Sequence, residues 1–202
     1  MSGRKSKANV NPVTVKIAQA GLFTAIIFVF TMFVKVPTGI GYAHVGDAFI
    51  YLYACMGGGW YALVAGSIGA TIADLVGGYA IYAPATLIIK PLVALPFVLI
   101  CKNEPKILNL KSGLTNILAL VIDTVGYFFA NWIIFGQSAS TGGKTALASA
   151  ASATVGTALQ GVASTVVFII VALALDKVNM KQRMLYYTGK ENTYKKAKKK
   201  AA

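Results

Sequence analysis

The chain has 202 residues, of which 56% are hydrophobic and 12% charged. A soluble domain carries roughly 25% charged residues, so the composition excludes a soluble enzyme or polar binding module and reads as a single membrane domain. The formal charge of +13 resembles that of a nucleic-acid binder only until the charges are located.

Arg4, Lys5, Lys7 and Lys16 lead into the first apolar segment. Lys102, Lys106 and Lys111 share one connection, and nine basic residues follow the last apolar segment. Such clustering is a membrane-topology signal, not a groove-binding surface, and no nucleic-acid partner is implied.

Six apolar segments follow one another, at about 15–36, 45–57, 60–77, 84–101, 113–135 and 150–175. The first is too long for a signal-peptide core of roughly 7–15 residues, and no A-x-A site follows it. The second is short against the roughly 17–25 residues of a spanning helix. It either extends outward through GIGYAH or forms a hairpin with the third, turning at MGGGW. Helices are expected throughout, because lipid offers no partners to open strand edges. The reading is an all-α membrane protein of six transmembrane helices. A basic N-terminal segment (1–14) precedes the membrane domain (15–176), and a basic tail (177–202) follows it. Placing the N-terminus inside puts 16 basic residues on the inner side and only Lys35 and Lys144 outside. Both termini are then cytoplasmic. The tail ends in KKAKKK, which either contacts anionic headgroups or stays solvated.

Two stretches invite other readings. GGKT at 142–145 resembles the end of a phosphate-binding loop, but the glycine required five positions before Gly143 is Ser138. Cys55, Cys101 and the single histidine, His44, have no metal-site spacing. No cofactor is expected.

The polar residues inside apolar segments are more informative. Asp47, Asp74, Lys90 and Asp123 each cost about 2.5–3.5 kcal/mol at a bilayer centre, so they face the bundle interior or a water-filled cavity. Asp47, Asp74 and Lys90 fall at a similar depth near the outer side, where they can line a cavity. The structural alternative is an Asp74–Lys90 ion pair locking two helices. In VIDTVGYFFANW, Asp123, Tyr127 and Asn131 are four apart and share a helix face. Trp132 is either a cavity residue or an interfacial aromatic. Gln160 needs an interior partner. Tyr79, Tyr82 and Trp132 suit a small aromatic ligand, with Asp47, Lys90, Asn131 and Gln160 reading its polar groups.

Small residues form two stripes. Ala62, Gly66, Ala70, Ala73 and Gly77 mark the third segment, and Ala18, Gly21 and Ala25 the first. Such spacing permits close helix packing, inside the bundle or, for the first segment, against a partner.

The stretch from Gly46-Asp47 through Ala73-Asp74-Leu75, Gly78-Tyr79, Ala83-Pro84 and Thr86 to Lys90 resembles the S components of energy-coupling-factor (ECF) vitamin transporters, the riboflavin-type superfamily in particular. The resemblance implies a six-helix substrate-capture subunit in a prokaryotic cell membrane, with no ATPase or other enzymatic activity of its own. It implies a vitamin or vitamin precursor held in an outward-facing cavity, with Asp47, Asp74, Tyr79, Tyr82, Thr86, Lys90, Tyr127, Asn131, Trp132 and Gln160 as candidate contacts. It also implies docking through Ala18, Gly21 and Ala25 onto a membrane coupling protein that carries two cytoplasmic ATPases. Pyridoxine, hydroxymethylpyrimidine, pantothenate, riboflavin or a nucleobase-like precursor are all open as substrate. The alternative is a stand-alone transporter in which Asp47, Asp74 and Asp123 relay protons.

Overall fold

A computed structural model of the chain describes residues 11–38, 42–137 and 143–188, with the backbone alone at 143 and 144. Helix α1 spans Pro12–Met32 and opens on the Asn11 cap, whose Oδ1 accepts the Val13 N–H at 2.9 Å. A short antiparallel pair follows, β1 (Lys35–Pro37) with β2 (Tyr42–His44), in register Val36 to Ala43. This departs from the expectation of helices alone. The pair follows the end of α1 and packs against α6, where Ser164 Oγ donates to His44 O at 3.2 Å, so its backbone finds partners within the protein and asks none of lipid.

Helix α2 (Asp47–Tyr53) continues as one π-helical stretch, Ala54–Gly58. It is buried on almost every face: Ala48, Ile50, Tyr51, Leu52 and Tyr53 are at most 1% exposed. A helix apolar all round belongs inside a bundle, which explains how so short an element sits among long ones. The chain reverses at Gly57 and Gly59, both at positive φ (97° and 58°), a region open to glycine at little cost. The MGGGW turn is therefore a hairpin leading into α3 (Trp60–Val76).

Helix α4 (Ala83–Ile100) carries Pro91 and Pro96 in its interior. Pro91 cannot bond to the carbonyl of Leu87, four residues earlier. Ser67 of α3 fills that role, its hydroxyl donating to Leu87 O at 2.9 Å. Helix α5 (Leu110–Gly136) begins with a capping box in which Asn109 and Ser112 satisfy each other's backbone N–H. Helix α6 runs from Gly143 to Lys177, beginning earlier than the apolar run at 150 indicates. Residues 138–142 of the expected polar loop lie outside the described residues. Asp176 ties the end of α6 to the α4–α5 connection, accepting the N–H groups of Ile107 and Leu108 at 2.8 and 2.9 Å.

Helix α7 (Met180–Tyr187) folds back under the π-helical stretch. Leu185 packs against Gly57, and the buried Lys181 ammonium donates to Cys101 O at 2.9 Å. Burial lowers the Lys181 pKa.

Neighbouring helices run in the order α1, α3, α4, α5, α6, with α2 packed inside against α6 and α1. The protein is mostly helical, and α1, α4, α5 and α6 are long and apolar enough to cross a membrane. Helix α3 is apolar but shorter. Tyr51, Phe97 and Phe168 join α2, α4 and α6, with ring centroids 4.8 to 6.2 Å apart.

Both small-residue stripes have clear positions. Ala62, Gly66, Ala70 and Ala73 are buried, and a Cβ on Gly66 would sit 3.1 Å from Ile50. Ala18, Gly21 and Ala25 are exposed on α1, and a Cβ on Gly21 would meet nothing within 4 Å.

Candidate functional site

At the β1–β2 end of the bundle is a partly open cavity of about 50 Å³. Tyr42 and His44 of β2 form one side, with Thr38 beside them. Asp74, at the end of α3, and Tyr79 and Tyr82, in the short turn before α4, form the second. Tyr127 and Asn131 of α5 form the third, and Gly156 and Gln160 of α6 the fourth. Gly78 has φ 84° and reverses the chain so that Tyr79 turns inward; its ring centroid is 4.5 Å from that of Tyr42.

Asp74 accepts two short hydrogen bonds, from Tyr42 Oη at 2.6 Å and from Thr86 Oγ1 at 2.5 Å. The Thr86 oxygen also lies 2.7 Å from Tyr127 Oη. Tyr82 Oη donates to Asn131 Oδ1 at 2.9 Å. The hairpin, α3, α4 and α5 are thus joined by one chain of side-chain hydrogen bonds.

Beneath the cavity lies a cluster of buried charge. Lys90 Nζ is 2.9 and 3.0 Å from the two Asp47 oxygens and 2.9 Å from Asp123 Oδ1. Lys90 and Asp47 are fully buried, and Asp123 is 1% exposed. Gln160 Nε2 donates to Asp47 Oδ2 at 2.8 Å and lies 3.4 Å from Asp123 Oδ2. Four side chains from α2, α4, α5 and α6 therefore close on one point. Such groups are tolerated in an apolar interior only when paired and hydrogen-bonded.

The Asp74–Lys90 pair, the structural alternative offered by the sequence, is not formed. Lys90 lies two turns inside α4 and faces Asp47 and Asp123, whereas Asp74 stands at the end of α3 among hydroxyls. Of the residues expected at the site, Asp74, Tyr79, Tyr82, Tyr127, Asn131 and Gln160 line the cavity. Asp47, Thr86 and Lys90 lie behind that lining, bonded to residues in it or to one another. Trp132 is 44% exposed, packs on Phe129 and points away from the cavity lining.

Tyr42, His44 and Gly156 were not expected from sequence. A tyrosine and a histidine in GIGYAH are the signal for the first two: an aromatic pair inside a loop next to an apolar segment. His44 is buried, its Nδ1 accepts the Gly46 N–H at 3.1 Å, and desolvation lowers its pKa to about 4. Burial and the neighbouring Asp74 raise the Tyr42 pKa, so the phenol stays protonated and donates.

No curated protein and no solved structure matches the chain. A family model does: ECF-type riboflavin transporter, S component, matches residues 11–177. That span takes in α1 through α6, the whole cavity and the charge cluster beneath it, leaving out residues 1–10 and 178–202. The chain belongs to the family of ECF-type riboflavin transporter S components, transmembrane proteins of vitamin uptake.

Proposed function

We propose that the protein is the substrate-capture subunit of an ATP-driven importer, binding a small polar aromatic compound in the cavity between β2, α3, α5 and α6. The observation that carries this reading is the cavity's make-up: tyrosines for walls, a few fixed polar groups and a rigid charged floor. Small-molecule sites are built this way. The floor is pre-organised by Lys90, so the polar groups above it are held in place before a ligand arrives.

Orientation follows from charge. The cavity opens at the end of the bundle opposite Lys16, the Lys102–Lys111 connection and Lys177, and basic residues cluster on the cytoplasmic side. The cavity is then outward-facing and both termini are cytoplasmic. Six helices are embedded in the membrane domain 15–176, with α2 held among the others without reaching lipid. The cell membrane of a prokaryote is the proposed location.

The exposed stripe Ala18, Gly21 and Ala25 is the proposed docking face for a membrane coupling protein with its two ATPases. Its small side chains let another helix approach closely.

The test is to purify the full chain gently, denature it and identify released small molecules by mass spectrometry. A stoichiometric vitamin or precursor, depleted in Asn131→Ala protein of unchanged melting temperature, is expected. Reconstituted alone, the chain should bind but not accumulate substrate. Gradient-driven uptake by the chain alone would overturn the reading.

A further inference from the structure

Gln160 reports which way its amide points. Its terminal group lies between Asp47 and Asp123. A carbonyl there would face two carboxylates, so the NH₂ takes that position and Oε1 is left to the cavity that Gln160 lines. Asp74 adds a second acceptor. Tyr42 and Thr86 each occupy one of its oxygens, but a carboxylate has about four acceptor sites.

The charge count points the same way. At the cavity three buried carboxylates, Asp47, Asp74 and Asp123, stand against one buried ammonium, Lys90; the buried Lys181 ammonium lies elsewhere, beside Cys101. Lys90 is shared by Asp47 and Asp123. Asp74 has only hydroxyl partners among the described residues. Lys35 rests over the rings of Tyr42 and Tyr79, 4.7 and 5.4 Å from their centroids, and forms no ion pair with Asp74. The site is therefore short of positive charge and rich in acceptors. On the opposite wall, Asn131 spends Oδ1 on the Tyr82 hydroxyl and keeps Nδ2 as a donor.

Resting on the capture reading above, we infer that the ligand is an amino-substituted nitrogen heteroaromatic of the aminopyrimidine kind. Its exocyclic amine and a protonated ring nitrogen donate to Asp74 as a charge-assisted pair. Gln160 Oε1 accepts a further donor, and Asn131 Nδ2 reads a ring nitrogen or hydroxyl. The tyrosine walls stack on the ring. A flavin's imide edge is disfavoured, because its two carbonyls flank a single N–H and would face the carboxylate.

The experiment is titration calorimetry on the full chain in lipid nanodiscs with three probes. They are hydroxymethyl-aminopyrimidine, its oxo analogue with a carbonyl in place of the amine, and riboflavin. The amino compound should bind roughly 100-fold or more tighter than the oxo analogue, since the oxo compound loses the amine donor and sets a carbonyl acceptor against the Asp74 carboxylate. Asp74→Asn should erase most of that preference. Riboflavin binding as tightly as the amino compound, or equal binding of the amino and oxo compounds, overturns the inference and leaves the capture function standing. If no probe binds, the compound released on denaturation decides. One bearing an amino-heteroaromatic edge supports the inference, one without it overturns it, and none at all overturns the capture reading as well.

Discussion

Asp47, the first residue of α2, and Gln160, halfway along α6, meet at 2.8 Å. Lys90 reaches the same Asp47 oxygen from α4 at 3.0 Å. One carboxylate thus joins three helices at the cavity floor, and the short α2 is held there by its N-terminal residue. This junction makes the floor rigid and leaves the polar groups above it for a ligand.

Removing the cation should expose the cost of that arrangement. Lys90→Met leaves Asp47 and Asp123 buried and unpaired, and breaking a buried ion pair this way costs about 3–5 kcal/mol. The measurement is unfolding in detergent followed by circular dichroism. Adding Asp47→Asn and Asp123→Asn to Lys90→Met should recover a substantial part of the loss. A single Lys90→Met variant as stable as the wild type would show that the pairing is not structural.

Two glycines should behave in opposite ways. A Cβ on Gly69 would lie 2.7 Å from the Thr24 carbonyl oxygen and 3.1 Å from Ile27, where α3 crosses α1. Backbone cannot give way there, so Gly69→Ala should destabilise by about 1–3 kcal/mol. Gly21 faces open space, so Gly21→Leu should leave the melting temperature and ligand binding unchanged. On the proposed docking face it should also prevent co-purification with the coupling protein. Normal co-purification would place docking elsewhere.

The buried His44 sets a pH dependence. Its pKa falls from 6.5 to about 4 on folding, through burial. The unfolded chain therefore binds more protons between those values, and stability declines as pH falls from about 6.5 towards 4. Above that window the contribution is complete. The size is roughly 3 kcal/mol at 1.36 kcal/mol per pKa unit. Denaturation midpoints across pH 4–7 should show the slope, and His44→Gln should flatten it.

Adjacent residues on α5 separate the cavity from the lipid-facing surface. Asn131→Ala removes a cavity hydrogen-bonding group and should cost about 1–3 kcal/mol of ligand affinity. Trp132→Ala, on the exposed side, should change affinity by less than about 0.5 kcal/mol. Calorimetry with the released compound checks both, and a large Trp132 effect would move the site outward.

The sequence alone determined the membrane class and the six apolar segments, because hydropathy acts locally; it left open whether the short second segment extends through GIGYAH or turns back at MGGGW, and the structure takes the turn at Gly57 and Gly59. The sequence also determined that Asp47, Asp74, Lys90, Asp123 and Gln160 needed interior partners, because an unpaired polar group in an apolar segment is costly wherever it lands. The stripe of Asp123, Tyr127 and Asn131 was legible from helical period, and all three face inward. Pairing was a different matter. Asp74 and Lys90 are close in sequence, yet Lys90 pairs with residues 43 and 33 positions away. Which carboxylate meets the lysine depends on depth along the helices and on their order around the bundle, and neither is written in any local window. The same holds for Tyr42 and His44, which join the cavity only because the β hairpin folds over the end of α3. Trp132 shares its neighbourhood with Asn131 in sequence, but one helical step of about 100° turns it to the outside. Tertiary structure decided these points because they depend on contacts between segments distant in the chain.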